Sequence, residues 1–377
     1  MPLNSAKVLG REAVKVRETS LPPRCGGTRF RCSRAGSEGA LAGNEKRKRR
    51  LRSLATPELG ALAGAVLVYV FFLAVAPPLR DLSALSTVLY VSSIYGIPAL
   101  AVALLMIGGE FDLSAGVAVV SSALAASMMS YEFTANVWVG VAASLALALS
   151  VGVINGWLVV RTPIPSFLVT LGTFFMLAGL NLAGTRLISG AVATASISDM
   201  DGFASAKQLF ASSLDVGGVD VRITVIWWLL FAGLATWILR RTPAGNWIYA
   251  TGGAPQAARA LGIPVRRVKV ALFMVVSFAA WFVGMHQLFA FDTVQSGEGV
   301  GKEFYYIIAA VVGGCLLTGG QGTALGAVLG AFIFGMTTQG IIYAGWNPDW
   351  FKFFVGALLL AVILLNAAVR RLQASQA

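Results

Sequence analysis

Long apolar runs, separated by short polar stretches, dominate the chain from about residue 58 onward. A helix that crosses a bilayer needs about 20 predominantly apolar residues. Ten segments meet or approach that length, at about 59–76, 84–107, 113–130, 136–160, 164–183, 223–239, 268–291, 304–318, 323–344 and 350–369. The pattern therefore predicts an all-α polytopic membrane protein with about ten transmembrane helices.

Small residues distinguish some of these segments. The eighth is short and contains Gly313-Gly314, which indicates half of a broken or tilted element. The third is rich in Ala and Ser, as expected of a helix packed inside the protein. At the start of the ninth, Gly322, Gly326 and Gly330 recur at the spacing that lets two helices approach closely. Gly108-Gly109 and Gly319-Gly320 each follow an apolar segment, which is a weak sign of an internal repeat.

Composition agrees with the membrane assignment and separates the chain into parts. Hydrophobic residues make up 57% of it and charged residues 12%, with a mean hydropathy of +0.76. The first 57 residues carry 14 Lys and Arg against 4 Asp and Glu, whereas the remainder is nearly balanced. We predict a basic, disordered cytoplasmic tail at 1–57, a transmembrane domain at 58–370 and a short C-terminal tail at 371–377.

The basic run 46–52 lies immediately before the first apolar segment. A membrane anchor that contacts anionic lipid explains this position better than a nucleic-acid site does. The run places the N-terminus inside, and ten spans then place the C-terminus inside as well. This topology makes 184–222 an external loop and 240–267 an internal one.

The internal loop contains a short helical pattern. Gly252-Gly253 precede Pro255, the pattern runs to Leu261, and Gly262 and Pro264 provide the stop signals. A compact helix at this place is either an element that docks a partner or a plain connector. The external loop is polar and is expected to form a short helix or a docking surface.

Few residues are available for chemistry. Of the three cysteines, two lie in the N-terminal tail, and His286 is the only histidine, so a Cys/His metal cluster is not predicted. We expect His286 to be packed or hydrogen-bonded within the structure. The chain has no phosphate-binding loop of the G-x-x-x-x-G-K-[ST] type, so any ATP must be held by another subunit. An intramembrane enzyme is poorly supported.

Four stretches together resemble the membrane permeases of ribose- and xylose-type sugar ABC importers, over about residues 58–370. They are GGEFDLSAG (108–116), NGWLVVRTPIPSFLVTLGTFFMLAGLN (155–181), ATGGAPQAARALGIPVRRVK (250–269) and AAVVGGCLLTGGQGTALGAVLGAFIFG (309–335). The resemblance implies a permease subunit in the bacterial inner membrane that moves a monosaccharide. It also implies a homodimer or paired permease, a separate ATP-binding cassette subunit that holds ATP and magnesium, and a periplasmic sugar-binding protein. No cofactor is expected in this chain.

The resemblance also assigns roles to residues. Gly253, Ala257, Arg259 and Gly262 match the recurring positions of a helix that couples the permease to the ATPase. The binding protein supplies the affinity for sugar, so the path needs only small neutral polar groups. Side chains that fit such a path are Asn155, Ser166, Thr170, Thr173, Asn181, Thr337, Thr338 and Gln339. For each hydroxyl the alternative is a bond to a carbonyl of its own helix.

Glu110 and Asp112 admit several interpretations. The topology puts them at the cytoplasmic end of the second span, where Asp112 or Ser114 could cap the third helix. Gating or contact with the ATPase is a second possibility. Ion coupling is a third, which would make the protein a proton- or sodium-driven secondary transporter.

Overall fold

The computed structural model describes residues 57–374, with side chains from 58 to 364. The predicted tail 1–57 lies outside these residues except for Pro57, with which the first helix begins. The elements are α1 (Pro57–Val75), α2 (Leu82–Ile107), α3 (Ala115–Met128), α4 (Val137–Arg161), α5 (Ser166–Ser189), α6 (Phe203–Phe210), β1 (Ser213–Val216), β2 (Val219–Arg222), α7 (Ile223–Arg241), α8 (Pro243–Gly253), α9 (Pro255–Ala260), α10 (Val265–Phe291), α11 (Lys302–Val312), α12 (Ala324–Tyr343) and α13 (Trp350–Ala374).

Ten of these helices correspond to the ten predicted segments. Within the described residues, eight are long and apolar enough to cross a membrane; in α3 the span includes a π-helical turn, Met129–Thr134. The eighth predicted segment forms α11, which has only 11 residues. The last helix, α13, runs on to Ala374, into the stretch predicted as a C-terminal tail. The predicted polytopic helical architecture is therefore confirmed, and within the described residues eight of the ten helices meet the combined criterion of length and hydropathy.

Four helices, α2, α3, α10 and α12, form the centre of the molecule, and most of their residues are buried. Small residues permit this packing: a Cβ on Gly284 of α10 would overlap the carbonyl oxygen of Val119 on α3. The prediction that the Ala- and Ser-rich third segment packs inside is confirmed. In contrast, α1 and α5 are mostly exposed and apolar, with Met176 on α5 73% exposed.

Two glycines of the predicted Gly-x-x-x-Gly pattern join α11 to α12. A Cβ on Gly326 would overlap the carbonyl oxygen of Gly313, and one on Gly330 would overlap that of Ala309. The third glycine does not belong to this face. Gly322 precedes α12 and has a φ of +146°, a conformation that favours glycine because it lacks a Cβ.

The chain ends both α2 and α11 on a Gly-Gly turn. Gly109 and Gly314 have φ values of +85° and +92°. In each turn the backbone N–H of the residue after the glycines donates to a carbonyl of the helix, from Glu110 to Leu105 and from Cys315 to Ala310. The counterpart of Gly108-Gly109 is therefore Gly313-Gly314, and the predicted match with Gly319-Gly320 is wrong.

The loop 184–222 contains α6 and the antiparallel hairpin β1–β2, in which Ser213 pairs with Arg222 and Val216 with Val219. Gly217 and Gly218 both have positive φ, as a two-residue hairpin turn requires. The predicted short helix in this loop is confirmed. The hairpin is tied to α2, because the hydroxyl of Ser86 donates to the carbonyl of Asp220.

His286 is buried in α10 and bonded through both ring nitrogens. Nδ1 lies 2.8 Å from the carbonyl oxygen of Phe210, at the end of α6, and Nε2 lies 3.0 Å from the hydroxyl of Tyr90 on α2. The histidine thus joins the loop 184–222 to two central helices, which confirms the predicted structural role.

Candidate functional site

Glycine pairs from three distant parts of the chain meet at the end of α2. The backbone N–H of Gly320 donates to the carbonyl of Ile107, the last residue of α2, at 2.8 Å. Gly252, near the end of α8, lies against both groups: a Cβ there would overlap the Ile107 oxygen and lie 2.7 Å from the nitrogen of Gly320. We call Gly109, Gly252, Gly319 and Gly320 the glycine junction. Only glycine permits this backbone-to-backbone approach.

The glycines of the junction are in close backbone contact with one another. A Cβ on Gly319 would lie 2.7 Å from the Cα of Gly109 and 3.0 Å from the carbonyl oxygen of Gly252. A Cβ on Gly109 would lie 3.1 Å from the Cα of Gly252. A displacement of α8 must therefore push directly on the turn after α2 and on the loop before α12, because no flexible side chain lies between them.

Residues 110–114, which we call the acidic segment, leave the junction without forming a helix. The segment is nearly all buried, so its backbone N–H groups need partners. Two hydroxyls of α5 provide them: the N–H of Phe111 donates to Oγ of Ser166 and that of Leu113 to Oγ1 of Thr170, both at 3.1 Å. Ser166 and Thr170, predicted as path residues, thus hold the acidic segment against α5.

A second set of bonds continues from the acidic segment into α4. Oδ1 of Asp112 accepts hydrogen bonds from the backbone N–H and the hydroxyl of Ser114, at 2.8 and 2.6 Å. Nδ2 of Asn155 donates to that hydroxyl at 3.1 Å, and Oγ1 of Thr173 donates to Oδ1 of Asn155 at 2.6 Å. These four side chains form one buried polar chain from the acidic segment through α4 to α5.

In place of the predicted helix cap, Asp112 closes a turn just before α3. Ser114 occupies the cap position, but its side chain makes no capping bond to the helix. Burial raises the pKa of Asp112 to about 6, against the lowering effect of the hydrogen bonds from Ser114 and Asn155. The carboxyl group belongs to this turn and to no spanning helix.

Glu110 forms an ion pair with Lys269 in the first part of α10. The two side chains are only 10% and 17% exposed, respectively. A partly buried pair of this kind needs both members, because either charge left alone is poorly solvated. Glu110 thus fastens the acidic segment to the helix that follows α9.

The other predicted path residues lie apart from this cluster. Nδ2 of Asn181 donates to the carbonyl of Val117 on α3 at 3.4 Å. Thr337 and Thr338 donate to carbonyls of their own helix, α12, as the structural alternative predicted. Gln339 is half-buried on the same helix. The structure brings Asn155, Ser166, Thr170 and Thr173 together, and the path-lining role of the whole set stays a prediction.

The predicted coupling helix is present as α9, from Pro255 to Ala260, and Gly262 ends it with a φ of +80°. Ala257 and Arg259 are exposed. Gly253, assigned to the same element by the resemblance, instead ends the preceding helix.

That preceding helix, α8, was missed in the sequence. Its N-terminus carries the usual signals. The side chain of Thr242 caps the helix by accepting a hydrogen bond from the backbone N–H of Gly245, and Pro243 occupies the first helical position.

Glu303 is a buried acid that the sequence analysis also missed, because the predicted eighth segment began one residue later. It lies in the first turn of α11, where both carboxylate oxygens accept from the N–H of Gly301 at 3.1 Å. Its side chain packs against Gly116 of α3, where a Cβ would overlap the carboxylate.

Comparison with known proteins gives one family over most of the chain. The profile of the family described as the permease component of branched-chain amino acid transport systems matches residues 84–363. The ribose import permease protein of Escherichia coli strain K12 is 30% identical over 77% of this chain and 88% of its own length. The fructose import permease protein of Rhizobium meliloti is 28% identical over 75% and 77%, respectively. The autoinducer 2 import system permease protein of Salmonella typhi is 29% identical over 83% and 86%. No solved structure matches the chain.

Proposed function

Because this chain belongs to the family of permease components of branched-chain amino acid transport systems, we propose that it is the membrane subunit of an ABC importer for a sugar. The resemblance seen in the sequence is confirmed, and so are the predictions of a transport component rather than an enzyme and of a multi-pass inner-membrane location. Relatives named for ribose, fructose and galactose import support a monosaccharide as the solute.

The glycine junction carries the structural argument for a subunit driven by a partner. α8 contacts the turn after α2 and the loop before α12 through backbone atoms, and α9 follows it directly. A force applied to α9 therefore reaches two places among the central helices. This arrangement suits a transporter whose energy comes from another chain.

The topology of the proposal has ten spans and both termini in the cytoplasm. α11 is only about 16 Å long at the usual helical rise, about half the hydrocarbon thickness of a bilayer. It is the short half of a broken span that the loop 313–323 completes. The excess of Arg in 240–267 supports a cytoplasmic location of α8 and α9.

ATP and magnesium bind a separate cassette subunit, which contacts α9. When ATP closes a pair of cassettes, α9 and α8 move and the glycine junction shifts the two connected segments, which opens the path toward the other side. Two permease subunits, identical or paired, form the complete pore, and a periplasmic binding protein delivers the sugar from outside. Gln339 on α12 and Asn181 on α5 stay the predicted path residues, whereas the hydroxyl of Thr337 is bonded to its own helix.

A proton- or sodium-coupled transporter is the weaker alternative. It requires Glu110 or Asp112 to exchange ions with water, yet Glu110 is paired with Lys269, and Asp112 is buried and accepts two hydrogen bonds from Ser114. Both acids therefore organise the acidic segment.

Uptake of a radiolabelled pentose or hexose, in cells that lack their own transporters for it, tests the function. We expect uptake with the cognate binding protein and cassette subunit, none with a cassette that cannot hydrolyse ATP, and persistence of uptake in Asp112→Asn. Uptake that continues without the cassette but stops with an uncoupler or in Asp112→Asn would show a secondary transporter instead.

A further inference from the structure

An arginine-lined cavity of about 400 Å³ lies beside α9. Gly262 turns the chain between α9 and α10, so that Arg259 from the last turn of α9 faces the same space as Arg266 and Arg267 from the first turn of α10. All three arginines are exposed. We call this space the arginine cavity.

No acid is among the described residues that line the cavity. Among residues 58–364, the acids that form ion pairs on nearby elements are Glu58, which pairs with Arg240, and Glu110, which pairs with Lys269. None of the three cavity arginines lies within 4 Å of a described carboxylate.

The N-terminus of α10 adds its positive dipole end to the same space, since its cap residue is Pro264, which provides no side-chain acceptor. Like charges gathered in one concave place raise the local potential and attract an anion.

The groups that line the cavity indicate what the anion is. Guanidinium groups bind carboxylates in a planar, two-bonded geometry, which gives specificity for acidic side chains. Leu261 lies between Arg259 and the turn at Gly262 and is 82% exposed. Arginine is one of the residues enriched among the energetically dominant contacts of protein–protein interfaces. A partner protein with an acidic segment and an apolar pocket therefore fits this place better than a free anion does.

We propose that the arginine cavity receives an acidic segment of the ATP-binding subunit while Leu261 enters an apolar pocket beside it. This inference rests on the proposed function, which makes α9 the element that contacts that subunit. It specifies in addition that the contact pairs arginines of the permease with acidic residues of the cassette. The pairing steers association and fixes the orientation of the cassette on α9, so docking weakens as salt concentration rises.

Binding of the purified cassette subunit to the full permease in nanodiscs of neutral phosphatidylcholine tests the proposal. We expect Arg259→Glu and Arg266→Glu each to raise the Kd about tenfold, and the salt dependence of the Kd to become shallower. The matched control is Arg161→Glu, which makes the same charge change at the exposed end of α4, outside the cavity, and should change the Kd less than about twofold. Equal melting temperatures of all variants would show that the permease is intact.

A photocrosslinker in place of Leu261 locates the contacting cassette segment. We expect an acidic residue there, and its exchange for arginine should restore binding to Arg259→Glu. Unchanged Kd values in both cavity variants, or a crosslinked segment without acids, would overturn the proposal while cassette-driven uptake still supports the function. A defect seen only in nanodiscs with anionic phosphatidylglycerol would assign the cavity to a lipid headgroup and would also overturn it. Failure of the wild type to bind any cassette would refute the proposed function itself.

Discussion

The chain makes the same Gly-Gly turn after α2 and after α11, yet the two segments that follow are held by different means. After α2, side chains hold the acidic segment. Glu110 forms an ion pair with Lys269, and hydroxyls of α5 accept hydrogen bonds from backbone N–H groups of the segment. After α11, residues 315–323 are held mostly by backbone atoms, with Leu316 bonded to Gln321 and Gly320 to Ile107. Identical helix ends therefore do not imply equivalent functional segments.

The difference has a physical cause. Polar side chains bond at particular distances and angles, so they fix the acidic segment in one position. Glycine backbone contacts demand close approach but leave few side-chain bonds to break when the elements slide; among the described residues, one such bond joins the loop 313–323 to α8, from the hydroxyl of Tyr249 to the carbonyl of Gly322 at 2.8 Å. We infer that the acidic segment is the fixed side of the glycine junction and the loop 313–323 is the moving side.

The largest expected effect on uptake comes from a change at Gly252, where the fixed and the moving side of the glycine junction meet. Gly252→Ala should reduce uptake at least about tenfold, because overpacking a close contact costs about 1–3 kcal/mol and its Cβ would separate the carbonyl of Ile107 from the N–H of Gly320. Uptake, membrane level and ATP hydrolysis should be measured together. Gly233→Ala on α7, where a Cβ meets nothing within 4 Å, is the control. Normal uptake in Gly252→Ala would remove the junction from the mechanism.

A smaller effect is expected on the fixed side alone. Lys269→Ala leaves Glu110 partly buried without its partner, which should lower the free energy of unfolding by about 3 kcal/mol. The double variant Glu110→Gln, Lys269→Gln should lose less, since no single charge remains. Denaturant titration in mixed micelles measures both. Equal losses in the single and double variants would mean that the ion pair does not hold the segment.

The smallest effect concerns one hydroxyl. Thr170→Val keeps the shape of the side chain but leaves the N–H of Leu113 without an acceptor, at a cost of about 1–2 kcal/mol. Thr338→Val on α12 removes only a bond to its own helix and should change stability by less than about 0.5 kcal/mol. A lower affinity for sugar with unchanged stability in Thr170→Val would instead restore the predicted path role of Thr170.

Local signals explain which predictions succeeded. Runs of apolar residues located the spanning segments, and Pro255 with Gly262 delimited α9, because both depend on nearby residues. The partners of Ser166, Thr170 and Asn155 could not be predicted in this way. Their bonds join α5 and α4 to a segment some 40 to 60 residues earlier, and hydroxyls of similar spacing on α12 bond only their own helix.

The sequence by itself determined a helical membrane protein, its apolar segments and its short helix after Pro255, since hydrophobic length and helix stop signals are properties of neighbouring residues, and its resemblance to a known family indicated a permease. Only the tertiary structure decided that three glycine pairs form one junction, that Asp112 closes a turn, and that three arginines share one cavity. The junction depends on the approach of elements far apart in the chain, which is set by how the helices pack. The turn at Asp112 and the arginine cavity each join residues close in sequence, but the turn is completed by Asn155 of α4 and the cavity by the orientation of α10 relative to α9, and no local pattern specifies either.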